Sequence, residues 1–214
     1  MTPAQVEEMA RERYNAVGET FFSQAEVFRM IYSACQELAT ETECIERVFT
    51  TTTVNGTQEY AWPTNIISVH RVTYDGNKLK PIDMRQGDQI QLNQALTVTG
   101  QPQYYAQFNE TFILYPAPND AKALKVWGSV EAQEISATTS TLDVPTWTHT
   151  RLVDFVLKCM HEKDKDYPSA ERHLARWEMS KIQIKRWMRR RLRGDGPAIV
   201  KTEESQIMAV LGAV

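Results

Sequence analysis

Seven cations fall within thirteen residues late in the chain: Lys181, Lys185, Arg186, Arg189, Arg190, Arg191 and Arg193, with no acid among them. Three kinds of chemistry suit such a run. On a helix it can be a solvated end whose charges complement the negative C-terminal dipole. It can dock on an acidic protein surface. It can also hold the phosphate backbone of a nucleic acid. Beyond it, Gly194-Asp195-Gly196-Pro197 breaks the chain, and Ala198, Ile199, Val200, Ile207, Met208, Val210, Leu211 and Val214 make the tail apolar. A free solvated tail is usually polar. This one either folds back on its own domain or buries itself in a neighbouring subunit or partner.

Other reactive residue types do not gather. His70, His149, His161 and His173 are scattered. His161-Glu162 lacks a second histidine one helical turn on, so it is not a zinc motif. An EF-hand starting at Asp164 would need glycine at its sixth position and glutamate at its twelfth, where Ser169 and Ala175 stand. P-loop, GxGxxG, GxSxG and HExxH patterns are absent from the sequence. The expectation is therefore a protein without catalytic residues, metal or cofactor. Cys35, Cys44 and Cys159 are odd in number and irregularly spaced, which fits apolar fillers made in a reducing cytoplasm. The N-terminus lacks the order of a signal peptide, and no apolar run is long enough to span a membrane.

The net charge of -3 hides an asymmetry. Residues 1–47 carry four basic and nine acidic groups, and residues 148–193 carry thirteen and six. A basic helical segment thus sits on an otherwise acidic chain.

The elements that must position these groups follow from periodicity. Thr2-Pro3 opens a helix that Gly18 can end. Ser23-Gln-Ala-Glu26 is a capping box flanked by the staple pair Phe22 and Val27, and it starts a helix running to about Thr40. From Cys44 the pattern turns to strands. Asn55-Gly56 predicts a type I′ hairpin between strands at 47–53 and 57–62. A strand over 66–74 turns at Asp75-Gly76-Asn77, and a short polar helix follows over 83–93. Residues 100–130 read as three strands folded back on each other, through Asn109-Glu110 and a Pro116/Pro118 stop. Helices return at 146–165 and 168–193. Ala170, Leu174, Trp177, Ile184 and Met188 mark the buried side of the last one, and Trp187 is expected near it as a second core anchor. The fold class is α+β. About four helices form a bundle (1–43 and 146–193), a β-rich sandwich or barrel-like insertion spans 44–145, and an extended arm spans 194–214.

The run GQPQYYAQFNETFILYPAP, the strand with Val126-Trp127-Gly128, Leu142-Asp143-Val144-Pro145 and the helix RLVDFVLKCM together resemble the head-to-tail adaptor (connector) proteins of tailed bacteriophages. Ser23–Glu26, Cys35-Gln-Glu37-Leu38 and Tyr60-Ala-Trp62-Pro63 fit the same family, and the resemblance covers about 20–190. It implies a homo-oligomeric, commonly dodecameric, ring at the head–tail junction of the virion. The ring would join the portal protein to a tail, nozzle or tail-tube protein and extend the channel for genomic DNA. It also implies that Ala198, Ile199, Val200, Ile207, Met208, Val210, Leu211 and Val214 form the portal-docking arm. The β region, with Tyr104, Tyr105, Phe108, Phe112 and Tyr115, would face tail components or neighbouring subunits. A channel should bind DNA weakly, so Lys181, Lys185, Arg186, Arg189, Arg190 and Arg193 are expected to meet an acidic portal or subunit surface, for example Glu37, Glu41 and Glu43 of a neighbour. The competing readings are a nucleic-acid-binding regulatory protein using the basic helix, and a tail-associated cell-wall hydrolase, which lacks its catalytic constellation.

Overall fold

The computed structural model describes residues 1–16, 18, 21–93, 99–135 and 141–192. Helix α1 (Pro3–Tyr14) opens with a reciprocal capping box. The Thr2 hydroxyl accepts from the Gln5 amide at 3.3 Å, and the Gln5 side chain accepts from the Thr2 amide at 2.9 Å. The helix stops at Asn15, in the left-handed region at φ 62°, rather than at Gly18. Asparagine tolerates that conformation because its short polar side chain bonds locally. Helix α2 (Gln24–Thr42) is capped by the Ser23 hydroxyl, which accepts from the Glu26 amide. The Glu26 carboxylate was expected to complete the box; it accepts instead from Lys163 Nζ at 2.7 Å. A charged partner is the stronger donor. Phe22 and Val27 are both buried in the helical core, as a staple requires.

A 3₁₀ turn (Thr146–Thr148) leads into helix α4 (His149–Lys163), and Tyr167–Leu192 forms α5. Helix α4 packs on α1, α2 and α5. Their stripes meet in one core containing Val6, Ile31, Leu38, Leu152, Val156, Met160, Trp177 and Ile184. Leu174 does not join it and is 38% exposed, because it stands on the flank of the row that buries Ala170, Trp177, Ile184 and Met188.

The chain between α2 and α4 carries the strands. They are β1 (Glu46–Thr52), β2 (Glu59–Ala61), β3 (Ile66–Tyr74), β4 (Asn77–Lys78), β5 (Lys80–Pro81), β6 (Thr99–Gly100), β7 (Tyr104–Phe108), β8 (Thr111–Tyr115), β9 (Ala117–Pro118) and β10 (Ala123–Val130), with α3 (Met84–Asn93) after β5. One sheet has the order β1-β10-β3-β4, a second β2-β8-β7-β5, and β6 pairs with β9. Val72, Tyr74, Leu79, Phe112, Leu114, Leu124 and Val126 fill a second core shared by the two larger sheets. The molecule is thus an α+β protein.

Two strand expectations are corrected. Asn55-Gly56 is a turn, closed by the Thr57 amide on the Val54 carbonyl at 3.1 Å, but only Gly56 has positive φ (76°). A type I′ loop needs positive φ at both central residues. The flanking strands part here, β1 pairing with β10 and β2 with β8. The two-residue loop with both φ positive is Asp75-Gly76, at 48° and 82°, between β3 and β4. Likewise, 100–130 is not one three-stranded unit. β7 and β8 form a hairpin over Asn109-Glu110, whereas β10 crosses to the other sheet and lies between β1 and β3. There a Cβ on Gly128 would stand 2.4 Å from the Ser68 carbonyl oxygen, so only glycine fits that close approach.

Candidate functional site

The basic run begins with a side chain that faces inward. Lys181 is 6% exposed. Its Nζ lies 2.6 Å from Glu37 Oε1, 2.8 Å from Glu41 Oε1 and 2.8 Å from Glu178 Oε1. The indole Nε1 of fully buried Trp177 donates to the same Glu37 oxygen at 2.8 Å. Burial by itself would lower the lysine pKa, but the hydrogen bonds that its ammonium donates to Glu178, Glu37 and Glu41 outweigh it and raise it. Lys181 therefore joins α5 to α2 inside one subunit. It is not an outward-facing cation, which corrects its grouping with the other basic residues. It also satisfies Glu37 and Glu41 within the chain, so these two need no neighbour's helix.

Farther along α5, Lys185 and Arg189 flank a cleft with Thr40, Glu41, Thr42, Glu43 and Met188. The Glu43 expected to meet another subunit thus already shares a cleft with cations of its own chain. Arg186 and Arg190 are exposed. Trp187 is 40% exposed, with its ring 4.9 Å from that of Trp147, so it is not a core anchor like Trp177. Arg193 and the arm residues 198–214 lie outside the described residues.

The aromatic set of the β region divides. Phe112 and Tyr115 are 1% and 2% exposed, interior side chains with no surface to offer a partner. Phe112 stacks with Tyr60 and meets Trp62 edge-on, while Tyr115 packs beneath α3, where a Cβ on Gly87 would meet its ring. Strand alternation explains the burial of Phe112, which points into the sheet core with Leu114, whereas Tyr115 lies on the opposite face and is covered by α3. Tyr104 and Tyr105 are half-buried, and Phe108 at the hairpin end is 59% exposed.

One grouping escaped sequence inspection. His161 and His173 stack with ring centroids 5.4 Å apart; Asp166 lies 3.2 Å from the first and Asp154 3.2 Å from the second, and the Tyr14 ring approaches His161 at 4.7 Å. The available signal was that both lie near the α4–α5 turn, where an antiparallel helix pair brings side chains of the two helices together. Burial lowers the His161 pKa, Asp166 raises it and His173 lowers it again. Among the described residues no group of three or more His, Cys, Asp or Glu is arranged to hold a metal ion. Burial pushes the Cys35 thiol up to about 12 and Cys159 to about 11, which leaves both as unreactive thiols. No helix among the described residues is long and apolar enough to cross a membrane.

The chain between α2 and α4 carries three sheets, exposed Arg186 and Arg190 stand on α5, and exposed Phe108 stands on the β7–β8 hairpin. The family model described as SU10 adaptor protein matches residues 1–201. The chain belongs to that family, one of phage head-to-tail adaptors. Membership makes it a structural component of the virion neck, where adaptors meet portal and tail proteins. No curated protein matches the chain.

Proposed function

We propose that copies of this chain form a ring, dodecameric as the resemblance implies, which binds beneath the portal, carries the tail or nozzle on its other side and continues the channel through which genomic DNA leaves. The match to the adaptor family across residues 1–201 carries this reading. Three features support it. Arg186 and Arg190 stand exposed on α5, Phe108 stands exposed on the β7–β8 hairpin, and an apolar segment of the sequence follows α5. The arm, 194–214, docks in the portal; Arg186, Arg189 and Arg190 meet acidic protein surface; and the bundle (1–43 and 146–193) and the β insertion (44–145) act as separate domains.

The test is attachment of the full-length protein to its portal, compared with a chain lacking residues 198–214. The truncated subunit is expected to fold and to lose portal attachment. Unchanged attachment would refute the arm's role. Duplex DNA binding that falls steeply with salt in the full-length protein, without portal binding, would instead favour the regulatory reading.

A further inference from the structure

Helix α5 has a face that no other described element of its own subunit covers. Opposite the buried row, Ala175, Met179, Ile182, Arg186 and Arg190 recur at helical spacing, one above another. Met179 is 58% and Ile182 45% exposed, so the stripe is apolar in its middle and basic at its end. Helix α1 has the counterpart. Gln5, Glu8 and Glu12 form its outward stripe, on the side away from buried Val6 and Ala10. Glu8, Glu12, Arg186 and Arg190 enter no ion pair with another described residue, whereas Glu7, Glu26, Glu37 and Glu41 are all paired. Glu8 and Glu12 stand at i and i+4 on α1, and Arg186 and Arg190 at i and i+4 on α5, so two patches of opposite charge share one spacing on two different helices. Both helices pack on α4.

We propose that the outward stripe of α5 in one copy docks on the outward stripe of α1 in the next copy, Arg186 and Arg190 meeting Glu8 and Glu12. This rests on the ring reading above. Two separate patches of opposite charge on one subunit make a heterologous contact, which leaves each patch's complement free for a further copy and so propagates head to tail, as a closed ring of copies requires. Charge complementarity sets partner choice and register, and burial of Met179 and Ile182 supplies the apolar part of the interface.

The test is disulfide trapping in assembled particles carrying full-length protein with Glu12→Cys and Arg186→Cys. A ladder extending beyond dimers on a non-reducing gel is expected, with each single variant remaining monomeric. The same particles are assayed for adaptor copy number. Many copies without a ladder overturn the α5–α1 contact and leave the ring standing; a single copy per particle overturns the ring itself and this contact with it. In a second arm, Arg186→Glu with Arg190→Glu lowers incorporation about tenfold, and adding Glu8→Arg with Glu12→Arg restores it to within about twofold. Loss without restoration overturns the pairing.

Discussion

Lys181 of α5 and Glu37 of α2 meet at 2.6 Å beneath the surface of the bundle, with the Trp177 indole bonded to the same carboxylate. This joint fixes how α5 lies on α2, and thereby where the rest of the basic helix points. Replacing Lys181 with Met removes the cation shared by Glu37, Glu41 and Glu178. Unfolding is expected to become easier by about 2 kcal/mol, less than for a sealed ion pair because Glu41 and Glu178 are half-exposed to water. Chemical denaturation measures it, and an unchanged midpoint would show that the joint adds nothing. Since the folded-state pKa is raised, the joint's contribution is complete below lysine's ordinary value and fades as pH rises through the raised one.

Acid should weaken the fold through His149. The ring is 3% exposed; its Nε2 donates to the Val144 carbonyl at 2.9 Å, and its Nδ1 lies 3.0 Å from the Met1 ammonium. Burial first, and that ammonium, hold its pKa below the ordinary value, against the opposing pull of the Val144 bond. The unfolded chain takes up a proton near pH 6.5 that the folded one refuses, so stability falls as pH drops below about 6.5. Denaturation midpoints between neutral and mildly acidic pH should show this slope. His149→Gln should make it shallower, and an unaltered slope would move the effect to another group.

Phe112 and Phe108 share a hairpin and should behave oppositely. Phe112→Ala opens a cavity between the sheets and should cost about 3–5 kcal/mol. Phe108→Ala should change stability by under about 0.5 kcal/mol, since an exposed ring supports little. If Phe108 also contacts the tail side, that variant folds normally yet joins fewer tails. Thermal melts and tail-joining assays on the two purified variants separate these outcomes.

Gly128→Ala should destabilise by about 2 kcal/mol or more, because its methyl would collide with a backbone carbonyl rather than a movable side chain. A melting temperature within experimental error of the parent would mean that β3 and β10 separate there at little cost.

Signals confined to a few neighbouring residues were legible in the sequence. Ser23 caps α2, Phe22 and Val27 staple it, and Ala170, Trp177, Ile184 and Met188 line the buried side of α5, because each depends on nearby residues and helical period. Relationships between distant segments were not legible. Asn55-Gly56 carries the strongest hairpin dipeptide in the chain, yet β1 and β2 belong to different sheets; strand pairing is decided by which apolar faces must share a core. Alternation marked Phe112 and Phe108 as aromatic strand residues without telling which faced inward. The basic run looked uniform, but Lys181 falls on the buried side of α5 while Arg186, five residues on, falls on the exposed side. The acidic half of the chain likewise looked available to a neighbour until folding placed Glu37 and Glu41 against Lys181.

In the proposed assembly many copies of this chain act together as the ring between portal and tail. Electron microscopy of the full-length protein bound to its portal tests it most directly. A closed ring of adaptor subunits on the portal is expected, with residues 194–214 of each copy entering the portal and α5 of each copy against α1 of the next. Isolated subunits scattered on the portal, or no density for the chain at the neck, would contradict it.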